Sequence, residues 1–138
     1  MANRWLFKTE PSAYSFQRLQ TDKRTVWDGV KNNLALKHLR EIKRGDEILI
    51  YHTGGEKAAV GIARAISGAY PDPQKTDPKL LVVEIQVDKP LARPVTLAEI
   101  KADAKLKNFD LVRLPRLSVM RVSEEQWTII EEMAGGVG

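Results

Sequence analysis

Three consecutive polar side chains end the run Trp5-Leu6-Phe7-Lys8-Thr9-Glu10-Pro11: a cation, a hydroxyl and a carboxylate. Such a set can present both donors and acceptors to one planar polar ligand. Alternate residues of a strand share a face, so Lys8 and Glu10 are expected to project together, with Thr9 directed away. The competing reading is a simple Lys8–Glu10 ion pair, worth little at a surface. Tyr51-His52-Thr53 closes a second apolar run in the same way. Histidine is the usual general base near neutral pH, but no glycine-flanked serine elbow accompanies His52, which favours a hydrogen bond at a pocket rim over catalysis. Trp27 stands between the charged turn 21–24 and Asp28-Gly29, where partial accessibility is expected, so it is read as a binding wall rather than as core. Trp5 opens a buried strand and Trp127 falls on the apolar face of a helix, and both read as structural.

These residues need elements to position them. Residues 5–10 have high strand propensity until Pro11, which has no amide hydrogen to give to a ladder. Residues 14–20 read as a short helix capped by Ser15. Asn32 or Asn33 can cap a second helix over 34–43, whose other side carries Lys37, Arg40, Lys43 and Arg44; Gly45 is its expected exit. Residues 47–53 form a strong strand, Gly54-Gly55 a turn, and 58–66 the returning strand, in which Gly61 marks close backbone approach or a bulge. A proline-punctuated loop extends from Tyr70 to Pro78. The strand over 80–87 follows, its continuation confined to an edge by Pro90 and Pro94. Thr96-Leu97-Ala98-Glu99 and Ser123-Glu124-Glu125-Gln126 are capping boxes that open two further helices, with a last strand over 116–122 between them. Strands outnumber helices without regular alternation, which predicts an α+β fold around a small, mostly antiparallel barrel.

The chain has 138 residues, 43% hydrophobic and 29% charged, as expected of a single folded domain over 1–138 with a flexible tail at 134–138. It has no cysteine and two histidines, so no disulfide, thiolate site or metal centre is expected, and no cofactor. No apolar run is long enough for a membrane helix and no leader pattern opens the sequence, so the expected location is the cytoplasm and the default state a monomer. The net charge is +4. Residues 1–64 hold 12 Lys and Arg against 7 Asp and Glu, whereas 65–138 hold 10 against 11. The positive field thus lies in the half that contains Lys8 and Trp27, which suits a polyanionic partner.

Six segments, in order, resemble the EVE domain family: Trp5 to Pro11, Trp27-Asp28-Gly29-Val30-Lys31-Asn32, Gly45-Asp46 followed by Tyr51-His52, Val60-Gly61-Ile62-Ala63, Ala69-Tyr70-Pro71-Asp72, and Arg116-Leu117-Ser118-Val119. The resemblance implies a PUA-like barrel flanked by short helices, related to YTH domains, with a pocket for modified bases in DNA or RNA. Carried over, Trp27 is the stacking wall. Lys8, Thr9 and Glu10, with Asp28 and Asn32, line the pocket, and Tyr51, His52 and Thr53 close its side. Arg116 and Ser118 meet the nucleic-acid backbone near the rim. Apart from the resemblance, the cationic helix face with Lys37 and Arg40 is the least specific signal, since charge runs are usually solvated faces; its alternative role is a phosphate track. Better-known members carry a tryptophan where Leu80 here follows Pro78-Lys79, so the implied cage is half complete.

The expected function is therefore a non-catalytic module that binds a modified nucleobase displayed from nucleic acid, with no membrane partner. Two alternatives stay open: a nucleotide-processing enzyme using His52 and Glu10, and a protein-interaction barrel with a vestigial pocket.

Overall fold

A computed structural model describes residues 2–135. The apolar run Trp5-Leu6-Phe7 is fully buried because β1 (Arg4–Thr9) lies inside the sheet. On one side it pairs in parallel with β3 (Glu47–His52), on the other antiparallel with the short β7 (Val119–Arg121). β4 (Ala58–Ala65) returns beside β3, and the long β6 (Leu81–Thr96) lies beside β4. The first part of β6 also pairs with β2 (Arg24–Trp27) and with the two-residue β5 (Tyr70–Pro71). The seven-stranded sheet follows the order β2-β6-β4-β3-β1-β7, with β5 off that path. Every ladder except β1 with β3 is antiparallel.

The sheet is mostly antiparallel as expected, but it is not a closed barrel. Among the described residues its end strands, β2 and β7, do not pair with each other. They are only four and three residues long, which keeps the exposed edges short. β7 is briefer than the expected 116–122 because the chain still turns at 114–117, where Leu117 N donates to Leu114 O.

Short helices flank the sheet where local signals place them. Ser15 caps α1 (Phe16–Asp22), accepting from Arg18 N. Asn32 caps α2 (Asn33–Glu41), its side-chain oxygen accepting from Leu34 N and Ala35 N. Both capping boxes form, Thr96 with Glu99 on α3 (Leu97–Ala102) and Ser123 with Gln126 on α5 (Glu124–Met133). The four-residue α4 (Asp110–Arg113) leads toward β7. α2 stops before Gly45 because Ile42 turns extended and enters the core. Ala134, expected as the start of a loose tail, is buried at the end of α5 with its N–H donating to Ile130 O. Residues 136–138 of that expected tail lie outside the described residues.

Two long-range contacts lock the sheet, one near the polar ends of β1 and β3 and one at their start. The Phe16 ring fills the space where a Cβ at residue 61 would stand, so α1 can press on β4 only over a glycine. The register also shifts there, between Ile50 and Tyr51 of β3 and between Ala59 and Gly61 of β4. At the opposite end of β1, the buried Asp46 carboxylate accepts from Asn3 N at 3.0 Å, Trp5 Nε1 at 2.9 Å and Lys43 N at 3.0 Å. Trp5 and Trp127 are both core residues. Beyond Gly61↔Pro90, residues 91–94 bulge out before pairing resumes at Ala59↔Val95, so the two prolines stay on an edge. No helix among the described residues is long and apolar enough to cross a membrane.

Candidate base-binding cleft

The C-terminal end of β1 opens into a cleft of about 520 Å³. Its walls are the end of β1, the turn that precedes α1, the end of β2 with the following Asp28-Gly29-Val30, and Ser118. Pro11 creates the first wall. The chain leaves the sheet after Thr9 and turns, with Ala13 N and Tyr14 N both donating to Glu10 O. Lys8, Thr9 and Glu10 all border the cleft, although strand alternation alone would send Thr9 away. The reason is that the pleat ends at Thr9, whose Oγ1 donates to Tyr14 O at 2.7 Å and ties the turn to the strand.

Lys8 and Glu10 do not pair among the described residues, because each has another partner. Lys8 Nζ donates to Pro115 O at 2.9 Å and stands 5.9 Å from the Tyr51 ring centroid. Burial lowers its pKa from the ordinary lysine value. The Glu10 carboxylate accepts from the Ser12 hydroxyl and from Ser12 N, and these bonds lower its pKa. The exposed Asp28 and the hydroxyl-bearing Ser118 and Thr25 complete the polar lining.

Trp27 lines the cleft but is only 8% exposed. Phe7 backs it at 5.3 Å between ring centroids, and Tyr14 meets it edge-on at 6.1 Å and 88°. A side chain so covered shows the cleft a strip of indole rather than a whole face. Tyr14, absent from the sequence-based site, supplies the second ring of the cleft. Its hydroxyl donates to Asp22 Oδ2 at 2.9 Å, which fixes the ring, and burial together with Asp22 raises its pKa. An aromatic residue just before a helix cap was the one sequence signal for it.

The other expected side-wall residues are not brought to this cleft. β3 is an interior strand and α1 covers its end, so Tyr51 and His52 are buried at 3% and 7% exposure. His52 Nε2 accepts from Phe16 N at 3.0 Å, which leaves the proton on Nδ1 to donate to Glu56 Oε1 at 2.7 Å. Both ring nitrogens are thus spent on holding α1 and the following turn. Thr53 bonds back to Thr9 O through its N–H at 2.9 Å. Asn32 is occupied as the α2 cap and borders a neighbouring groove together with Arg116. Lys37 and Arg40 are exposed on α2 and do not border the cleft. Leu80 lies in a separate hollow that shares Gly29 and Val30 with the cleft, so it does not face Trp27 across it. Among the described residues no group of His, Asp and Glu could hold a metal ion.

A model of the EVE domain matches residues 3–133. The chain belongs to the EVE domain family. Among solved EVE-like chains, the NMR structure of a Rhodopseudomonas palustris protein is 40% identical, with a TM-score of 0.92 over 97% of this chain and 94% of that one. Human thymocyte nuclear protein 1 is 27% identical over 164 residues, covering 94% of this chain and 73% of that protein. Its crystal structure in complex with DNA containing 5-methylcytosine gives a TM-score of 0.89 at 26% identity, covering 99% of this chain and 100% of that one. An ASCH protein from Zymomonas mobilis, 12% identical with a TM-score of 0.61, shares the fold alone. The open sheet of this EVE domain is thus of the PUA-like kind.

Proposed function

We propose that this EVE domain is a non-catalytic reader of a modified nucleobase, presented to the cleft at the end of β1 from DNA or RNA. The observation that carries the reading is the cleft itself: two perpendicular rings, Trp27 and Tyr14, beside a fixed cation and two carboxylates, in about 520 Å³. A volume of this size accepts one flipped base with its substituent. Asp28 and Glu10 make the lining rich in acceptors, which suits the exocyclic amino group that cytosine and adenine carry. The human relative in complex with 5-methylcytosine DNA makes a methylated cytosine the first probe to try. The engagement of both His52 nitrogens away from the cleft favours a reader over an acid–base enzyme.

The test is a fluorescence titration at low salt against single-stranded oligonucleotides that differ in one base: cytosine, 5-methylcytosine, adenine, N6-methyladenine and thymine. A modified base with an amino group should bind more tightly than its unmodified parent. Equal affinity across the panel would reduce the protein to a nonspecific polyanion binder and overturn the reading.

A further inference from the structure

A second hollow, of about 330 Å³, lies between the start of α2 and the segment before β7. It is bordered by Asn32, Leu34 and the run 113–117. Its walls continue those of the cleft. Asp28-Gly29-Val30 of the cleft leads within two residues to Asn32, and Ser118 of the cleft follows directly on Leu117 of the groove. Lys8 joins them by a hydrogen bond, its ammonium bordering the cleft while donating to Pro115 O in the groove.

The chemistry of the groove is distinct. Leu34 is 40% exposed, one of two large apolar side chains so placed among the described residues. Leu114, Pro115 and Leu117 join it in an apolar lining, and the exposed Arg113 and Arg116 border the same hollow. Arg113 is held by Asp110 at 2.8 Å, whereas Arg116 forms no ion pair among the described residues. An apolar lining beside guanidinium groups matches a nucleotide: the base lies against the apolar side chains and the phosphate meets the cations. The volume also falls within the range of single-ligand sites, about 300–1,000 Å³.

We infer that this groove is a subsite for the nucleotide next to the recognised base, so the protein reads the base within a strand rather than as a free nucleoside. The inference rests on the base-reading role proposed for the cleft. Arg116 takes the phosphate between the two nucleotides, and Leu34 supports the flanking base without regard to its identity.

The experiment compares three probes: 5-methyl-2′-deoxycytidine 5′-monophosphate, the single-stranded trinucleotide dT-5-methyl-dC-dT, and the same trinucleotide with abasic flanks. The parent should bind the intact trinucleotide at least fivefold more tightly than the monophosphate, with the abasic form between them. Arg116→Ala should remove most of that gain and reduce the slope of log affinity against log salt by roughly one. Leu34→Ser should lower trinucleotide affinity to that of the abasic probe and leave the slope unchanged. Both residues are exposed, and a thermal melt checks that both variants fold. If the monophosphate and trinucleotide bind the parent equally, or both variants keep the full gain, the subsite is overturned while the cleft stands. If neither these probes nor any oligonucleotide of the base panel binds at low salt, both readings fall.

Discussion

His52→Ala separates a brace from a ligand contact. In the parent, the imidazole is 7% exposed and its Nε2 is the acceptor for Phe16 N–H at the start of α1. Removing it leaves that N–H buried without a partner, a loss of about 1–3 kcal/mol. The cavity under α1 adds to this, so the expected total is roughly 2–4 kcal/mol. For a chain of this length that is a fall in melting temperature of about 6–12 °C. Urea unfolding followed by circular dichroism measures it, and His52→Gln, which restores an acceptor, should recover part of the loss. The effect on oligonucleotide affinity, measured on the folded fraction, should be smaller than that of Tyr14→Ala, since His52 acts on the cleft only by seating the helix that follows Tyr14. A His52→Ala protein as stable as the parent but unable to bind would refute the reasoning, because the ring would then touch the ligand. So would a nucleotide turnover by the parent that His52→Ala abolishes.

Tyr14→Ala should weaken binding of a methylated oligonucleotide by about fivefold or more, and Tyr14→Phe should keep most of the affinity, since it keeps the ring and the hydroxyl is engaged with Asp22. Trp27→Ala removes both a wall and a core residue; it should cost about 3–5 kcal/mol of stability as well as affinity, so the two must be measured together. Gly61→Ala should destabilise by about 1–3 kcal/mol in a thermal melt, because the added methyl meets the Phe16 ring. Asp46→Ala should cost roughly 3 kcal/mol or more in urea unfolding, since it leaves three buried or half-buried N–H donors without an acceptor. Glu99 has its pKa depressed to about 2, first by Arg93 and then by the Thr96 cap. A depressed carboxylate contributes stability above its unfolded value near 4.5 that is lost as pH falls toward 2, so an acid titration of Glu99→Gln should show a shallower decline over that window.

Features written in neighbouring residues were legible before the fold was known. Ser15, Asn32 and the two capping boxes act over three or four positions, and Pro11 stops β1 by its own chemistry. Gly61 was also legible, as a residue without a side chain in a strand of small ones, though not the Phe16 ring that requires it. What could not be read depends on pairing across the chain. The parallel register Thr9↔His52 places His52 beneath α1, and nothing near residue 52 announces Phe16 as its donor. Asp46 looks like a turn residue after Gly45, yet it is the anchor for Trp5. Tyr14 reaches the cleft only because Thr9 binds its carbonyl and Asp22 its hydroxyl. That β2 and β7 do not pair among the described residues is likewise a matter of where distant segments come to lie, which no local pattern in the sequence sets.

The position of β1 between β3 and β7 bears on how the protein is made. During synthesis β1 emerges first, yet its antiparallel neighbour follows about 115 residues later. Until β7 docks, β1 exposes an open edge of Trp5, Leu6 and Phe7 backbone, and Lys8 lacks both the Ser118 carbonyl that takes its N–H and the Pro115 carbonyl that takes its ammonium. The cleft and the groove therefore mature together with the final strand. A chain truncated before residue 115 should keep β1 to β6 yet bind oligonucleotides more weakly than the parent, which makes ligand capture a readout of β7 docking.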